Sequence, residues 1–205
     1  MTYSDPNKPQ RKHPLNPFRA LLLAALASLT FNKPAVSQQD PAATAPDGEV
    51  RSRGQRPVKD ITFGDWSKVC FKPGGAKPLC RTSITGTFPT GQMAVRLDII
   101  EREGDAAKRI QIFSPVGMYL QKPVELTIDQ GVTYRVPYTW CLTNACIAGT
   151  IAEPSLVKRM AQGQILHLQF VDSSLLRLTT SLALGRFATA HEGPPTQMFN
   201  QGIDE

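Results

Sequence analysis

From Ile61 onward the chain alternates apolar and polar residues over short runs, each broken by Gly, Pro, Asn or Asp. Between Met93 and Arg102, Val95, Leu97 and Ile99 fall on one face and Arg96 and Asp98 on the other, the period-two signature of a strand with one buried side. Similar runs are Ile61–Trp66, Cys80–Thr85, Arg109–Phe113, Ile165–Val171 and Leu175–Leu182. Leu126-Thr127-Ile128 and Val132–Val136, joined by Asp129-Gln130-Gly131, predict a hairpin with Gly131 supplying a positive φ. Val132, Tyr134 and Val136 share one face of it, and Pro137 ends the strand. Ile147, Gly149 and Ile151 alternate in the same way. One helix is predicted, entered at Glu153-Pro154-Ser155, with Leu156, Val157 and Met160 as its apolar face and Gly163 as its stop. Gly185–His191 reads as a closing strand or a single helical turn. Many short strands with turn signals between them predict an all-β sandwich or barrel over residues 61–191, large enough for one core.

Residues outside that span lack core periodicity. Gln38–Asp60 is rich in Pro, Ala, Gln and charge and is expected to be a flexible linker, its Arg51, Arg53, Arg56 and Lys59 a solvated cluster. Glu192–Glu205 is expected to be a polar tail. At the start, a basic stretch from Lys8 to Arg19 precedes the apolar run Ala20–Leu29, and small residues follow at Ala35-Val36-Ser37. This is the layout of a secretory signal, with cleavage expected after Ser37. The apolar run is short of the ~20 residues a spanning helix needs. That leaves membrane association open, though not through a spanning helix once the leader is removed.

Charge changes the picture only until it is located. The formal net charge is +6, but residues 1–37 hold five cations against one anion, so the rest of the chain carries +2. Without a dense basic run after the leader, nucleic acid is not an expected partner.

Export bears on the four cysteines, Cys70, Cys80, Cys141 and Cys146. In an oxidising compartment an even count implies disulfides. Three pairings exist; sequence proximity favours Cys70–Cys80 and Cys141–Cys146, and the rivals cross-link the two halves. A metal site is not expected, because no C-x-x-C is present and His13, His167 and His191 lack ligand spacing.

Catalytic candidates are few. His167 lies on a strand beside Gln169, opposite Leu166, Leu168 and Phe170. Asp172, Ser173 and Ser174 follow closely, yet no nucleophile elbow fixes a serine against that base, and an Asp–Ser turn accounts for them. Glu101, Glu103 and Asp105 beside Arg102, Lys108 and Arg109 read as a solvated hairpin end. Trp66 and Trp140, each near a cysteine, are expected to pack against the disulfides, with binding by an exposed edge as the alternative. No catalytic, cofactor-binding or metal-ligating set is assigned. A hydrolase using His167 is the alternative from another class.

Taken in order, Phe63-Gly64-Asp65-Trp66, Cys70 and Cys80, Pro115-Val116-Gly117-Met118, Ile128-Asp129-Gln130-Gly131, Cys141 and Cys146, and Leu182-Ala183-Leu184-Gly185-Arg186-Phe187 with Ala190 resemble the invasion-associated locus B family. Arg186 is a departure, since the family runs Gly-Phe directly. The resemblance implies an immunoglobulin-like β-sandwich with one short helix, stapled by two disulfides. It also implies export by a Gram-negative bacterium to the periplasm, outer membrane or exterior, founding members being linked to host-cell entry. It brings no catalytic residues. The function it implies is non-catalytic binding of a protein or envelope component.

Overall fold

The computed structural model describes residues 50–201. Along that stretch the chain forms β1 (Gly54–Pro57), β2 (Thr62–Phe63), β3 (Ser67–Pro73), β4 (Leu79–Thr87) and β5 (Met93–Arg102). Next come β6 (Lys108–Ser114), β7 (Val124–Ile128), β8 (Thr133–Val136), β9 (Tyr138–Cys141) and β10 (Cys146–Ala152). Helix α1 (Pro154–Gln162) precedes β11 (Ile165–Val171) and β12 (Leu176–Ala183), and helix α2 (Phe187–Glu192) precedes β13 (Gln197–Gln201). The expected leader, residues 1–37, and the first part of the expected linker lie outside the described residues.

The strands make two sheets. One has the order β1-β12-β11-β7-β8; the other runs β13-β3-β4-β5-β6-β10-β9, with β2 also paired to β4. The alternation on β5 sets the layering: Leu97 and Ile99 are fully buried beside Ile110 and Ile112 of β6. From the other sheet Leu126, Leu166 and Leu168 meet them in one cluster, and Met160 of α1 and Phe187 of α2 complete it. This is an all-β sandwich, one of the two architectures the alternation allows, and Gly185–His191, expected as a closing strand or a single helical turn, contributes a second short helix.

That second helix has a packing reason. Phe187 is fully buried, and its ring meets Trp66 edge-on at 4.9 Å. The Trp66 indole N–H donates to Ala183 O at 3.0 Å, so the one polar atom of a buried Trp is satisfied. Trp66 is therefore core, packed on α2. Helix α1 starts with Pro154 and ends at Gly163, whose N–H donates to Arg159 O at 2.7 Å. A Cβ at Gly163 would run into Ile128 Cγ2 and lie 2.9 Å from Arg159 O, so close approach rather than a left-handed backbone requires the glycine.

In the β7–β8 hairpin the positive φ falls on Asp129 (52°), not on Gly131. Asp is one of the few residues besides Gly that visits the left-handed region, and its short carboxylate is held there by bonds. Here the Asp129 carboxylate accepts from the backbone N–H groups of Gln164 and Ile165, at 3.2 and 3.0 Å.

Two stretches without apolar periodicity nevertheless join the sheets. Within the expected linker, Gly54–Pro57 pairs in parallel with β12, and within the expected tail, Gln197–Gln201 pairs in parallel with β3. Both are outermost strands that gain backbone hydrogen bonds while burying little side chain, so no hydrophobic pattern marks them. The Phe199 ring stacks on Phe71 at 5.3 Å, and Thr196 donates to Lys68 O from both its N–H and its hydroxyl.

Two disulfides staple the larger sheet. Cys70–Cys80 joins β3 to β4 and Cys141–Cys146 joins β9 to β10, each between residues paired across the ladder.

Candidate interaction surface

The sandwich has two outward faces of different chemistry. On the smaller sheet the outward positions are Thr133, Thr127, His167 and Ser181 in one row and Arg135, Glu125, Gln169 and Thr179 in the next. All of them but Arg135 line a shallow cleft of about 350 Å³. Its polar groups bond mostly to each other: Gln169 donates to Glu125 at 2.6 Å, Arg135 reaches Glu125 at 3.3 Å, and the Thr127 and Thr133 hydroxyls meet at 3.0 Å.

His167 is exposed in this cleft, and its Nδ1 lies 2.8 Å from Ser181 Oγ. The serine that meets it is thus not the one near it in sequence. Asp172 lies five residues on, just past the end of β11, roughly 16 Å away at strand rise. Its carboxylate accepts from the N–H groups of Ser174 and Leu176, both at 2.9 Å, while Ser173 N–H donates to Gly117 O. Asp172, Ser173 and Ser174 therefore form a turn, and the structure does not bring them to His167.

The buried histidine is His191 on α2, 5% exposed. Its ring stacks on Phe187, and Lys108 Nζ lies 2.7 Å from its Nε2. An ammonium can only donate, so Nε2 accepts and the ring proton sits on Nδ1, donated to Thr82 Oγ1 at 3.1 Å. Lys68 donates to His191 O at 2.7 Å, and Glu101 bridges Lys68 and Lys108 at 3.1 and 2.9 Å. Burial lowers the His191 pKa, Lys108 and Lys68 lower it further, and Glu101 opposes them. Burial acts to raise the Glu101 pKa, but hydrogen bonds from Lys108 and Lys68 outweigh it, and the net shift is downward. Every member is engaged, so this is a clamp between α2 and the larger sheet, not an open site. Glu101 and Lys108, expected at a solvated hairpin end, belong to it.

The outward face of the larger sheet is different. Its centre is a three-by-three grid on β4, β5 and β6: Thr85–Arg96–Phe113, Ser83–Asp98–Gln111 and Arg81–Ile100–Arg109. Asp98, in the middle, is only 1% exposed although it points away from the core. Arg96 covers one side of it, its Nε 3.2 Å from Asp98 Oδ2 and its guanidinium 3.7 Å above the Phe113 ring. Among the described residues six buried side-chain N or O atoms lack a hydrogen bond of good geometry, and five cluster here, Arg81 Nε, Ser83 Oγ, Arg96 Nε and both Asp98 oxygens, which face one another beneath the surface. Burial pushes the Asp98 carboxyl up, offset in part by Arg96, Ser83 and Arg81.

Apolar side chains border the grid. Trp140 of β9 pairs with Ile147 of β10 on this face, and Ile151 faces Arg109. Trp140 and Ile151 are 58% and 60% exposed. Trp140 therefore does not pack into the core beside its disulfide. The Cys141–Cys146 bridge instead fixes the short outer strand that presents it. Val69, Phe71 and Phe199 continue the apolar border on the far side. Buried aromatic and Arg anchors amid apolar surface are the composition of a protein interface.

Comparison with known proteins agrees with this architecture. A family model described as Invasion associated locus B (IalB) protein matches residues 66–195. The chain belongs to the invasion associated locus B family. Among solved structures, the crystal structure of invasion associated protein b from Bartonella henselae superposes with a TM-score of 0.56 at 21% identity, covering 64% of this chain and 90% of that one. At that identity the likeness is one of fold. No curated protein matches the chain. Membership of the family and the two disulfides suggest an extracellular or envelope protein, and among the described residues no helix is long and apolar enough to cross a membrane. Family and fold suggest a non-enzymatic role.

Of the residues singled out in the sequence, the four cysteines sit in the two bridges, while His167 stands apart from Asp172, Ser173 and Ser174. The grid around Asp98 was missed because its signal is a weak one: charged residues on the polar phase of β4, β5 and β6 look like ordinary solvated positions until the strands are aligned. Only Arg96 and Asp98, flanking Leu97 in one strand, hinted at it.

Proposed function

We propose that this invasion associated locus B protein is an exported, non-catalytic binding module of the Gram-negative envelope, resident in the periplasm or associated with the outer membrane or exterior. In this reading residues 1–37 are a leader cleaved after Ser37, and the folded unit binds a protein or envelope component through the outward face of its larger sheet. The observation that carries the reading is the grid around Asp98, where under-satisfied polar atoms lie inside an apolar border. A partner laid on this face would cover the exposed Trp140 and Ile151 and meet the arginines between the apolar borders. By its name the family connects such proteins with invasion, and contact with a host cell is the further extension of the same reading.

The test is a photo-reactive amino acid placed at Ile151 or Trp140 of the full chain in its own cell, with the same group at Thr127 as control. Discrete adducts from the first two positions and none from the third are expected; adducts from none of them, with folded protein recovered, would sink the binding role. The mass of the mature chain from the envelope fraction checks the cleavage.

A second reading, a hydrolase using His167, has the His167–Ser181 contact in its favour. It expects His167→Ala to abolish a hydrolytic activity in envelope extracts. An unchanged activity profile removes it.

A further inference from the structure

Resting on the binding role just proposed, we infer the class of the partner: an acidic polypeptide segment whose carboxylates alternate with apolar side chains, lying across the outward face of the larger sheet. Charge narrows the occupant first. Within the grid Arg81, Arg96 and Arg109 stand against Asp98 alone, and Arg109 is exposed on the face. Two such faces would repel, so a second copy of this chain is a poor occupant and an anionic one a good occupant.

The kind of anion follows from the mixed chemistry of the grid. The Nε atoms of Arg81 and Arg96 and both Asp98 oxygens are covered, so what a partner meets is the half-exposed remainder of the two guanidiniums with Gln111 and Thr85 beside them. A phosphate or an anionic lipid headgroup surface serves the arginines mainly through its oxygens and brings no spaced apolar side chains for the border. A polypeptide brings both kinds of group, carboxylate and carbonyl oxygens for the arginines and N–H groups for the half-buried Gln111 and Thr85 side chains. Arg96 is already held flat by the Phe113 ring, so little rotamer freedom is lost when a carboxylate reaches it.

The border supplies the apolar half of the code. Trp140 and Ile151 on one side and Val69, Phe71 and Phe199 on the other flank the arginines. A segment crossing the strands would therefore meet apolar, cationic and apolar ground in turn. The seven strands of the β13-to-β9 path, at about 4.8 Å each and roughly six residues of about 3.3 Å, give a face on the order of 700 Å². That is close to the ~800 Å² each partner contributes to a standard interface.

The experiment is selection of a randomised peptide library, displayed on phage, against the full mature chain. Expected are peptides enriched in Asp and Glu alternating with aliphatic or aromatic residues, with binding that weakens as salt rises. Arg81→Gln with Arg96→Gln is expected to reduce their affinity by at least about tenfold, the scale of one buried charged contact. Because removing those partners from Asp98 can disturb the fold, Arg109→Glu is the companion variant: it lies at the exposed edge of the grid and is expected to weaken the same peptides with an unchanged melting temperature. Selected peptides that are lost with Trp140→Ser but show no acidic excess would overturn this inference and leave the binding face standing. Peptides that no change on the face affects would overturn both. Concentration-dependent self-association through the face, or tight binding to phosphatidylglycerol vesicles in preference to the selected peptides, would assign it to another occupant and overturn the inference as well.

Discussion

At the residue scale, close approach governs more than backbone freedom. Gly163 and Gly91 both look like turn residues, yet only Gly91 has a positive φ, 80°, and nothing lies within 4 Å of where its Cβ would be. Gly91→Ala therefore costs only the left-handed penalty, about 1–2 kcal/mol. Gly163→Ala instead drives a methyl into Ile128 and the Arg159 carbonyl, and both are held, one by the core and one by the helix end. Overpacking of that kind costs roughly 1–3 kcal/mol, and the Asp129 carboxylate beside it closes the way to relaxation. Urea denaturation of the two variants is expected to rank Gly163→Ala as the larger loss. The sequence announced Gly163 as a helix stop, which it is. It pointed to Gly131 for a positive φ that Asp129 adopts instead, because the bonds that hold Asp129 there come from residues 35 and 36 positions away.

Elements with an apolar phase were legible and elements without one were not. β5 and β11 lie where their alternation put them, since each buries one face. β1 and β13 escaped notice because an outermost strand is held by backbone pairing, which leaves no trace in side-chain pattern. Helix α2 was half legible: Phe187 and His191 are one turn apart, but what holds the helix down is a clamp of Lys68, Thr82, Glu101 and Lys108, drawn from four strands. The clamp makes a pH prediction. The groups facing His191 are Lys68, Lys108, Glu101 and its neighbour Glu192, and its folded pKa lies below the usual 6.5. The unfolded chain thus takes up a proton near pH 6.5 that the folded protein refuses. Stability is full above that pH and falls as pH drops below it, by at most about 1.4 kcal/mol per pH unit for one proton. Glu101, also lowered, adds a loss in the same direction below its usual 4.5. Asp98 is raised and acts in the opposite sense, its destabilising charge being relieved by acid. Between pH 6.5 and 5.5 His191 therefore contributes a loss of stability that Asp98 opposes, and His191→Gln is expected to remove that loss. Urea midpoints across that interval check this, and an unchanged slope in the variant would exclude His191 as its source.

For the whole molecule, the two disulfides do unlike work although both are short staples. Cys70 is 1% exposed and its bridge ties β3 to β4 beside the α2 clamp, whereas Cys141 is exposed and its bridge holds β9, the outermost strand that carries Trp140. In the chain-entropy account each contributes roughly 2–3 kcal/mol. The Cys70→Ser/Cys80→Ser variant is expected to lose that stability and to leave α2 less firmly seated, read as a lower melting temperature. The Cys141→Ser/Cys146→Ser variant is expected to weaken partner capture as well, because Trp140 is then presented from an untethered strand.

The difference between the two outward faces leads to the sharpest separation of folding from binding. Trp140 and Ile151, with more than half of each side chain already in water, give the sandwich little burial to lose. Substituting exposed positions away from caps and buried networks usually changes stability by no more than about 0.5 kcal/mol. Trp140→Ser with Ile151→Lys should then melt with the parent while its adducts with the partner disappear. The matched change on the other face, Thr127→Ala with His167→Ala, removes two polar groups from the cleft, one bonded to Thr133 and one to Ser181, and is expected to keep the adducts. If both pairs of changes abolish capture equally, the partner reads the sandwich as a whole and the grid around Asp98 loses its special place. If only the first does, the apolar residues that the fold leaves in water are there for the partner, which is the physical reason a stable sandwich would keep a tryptophan on its outermost strand.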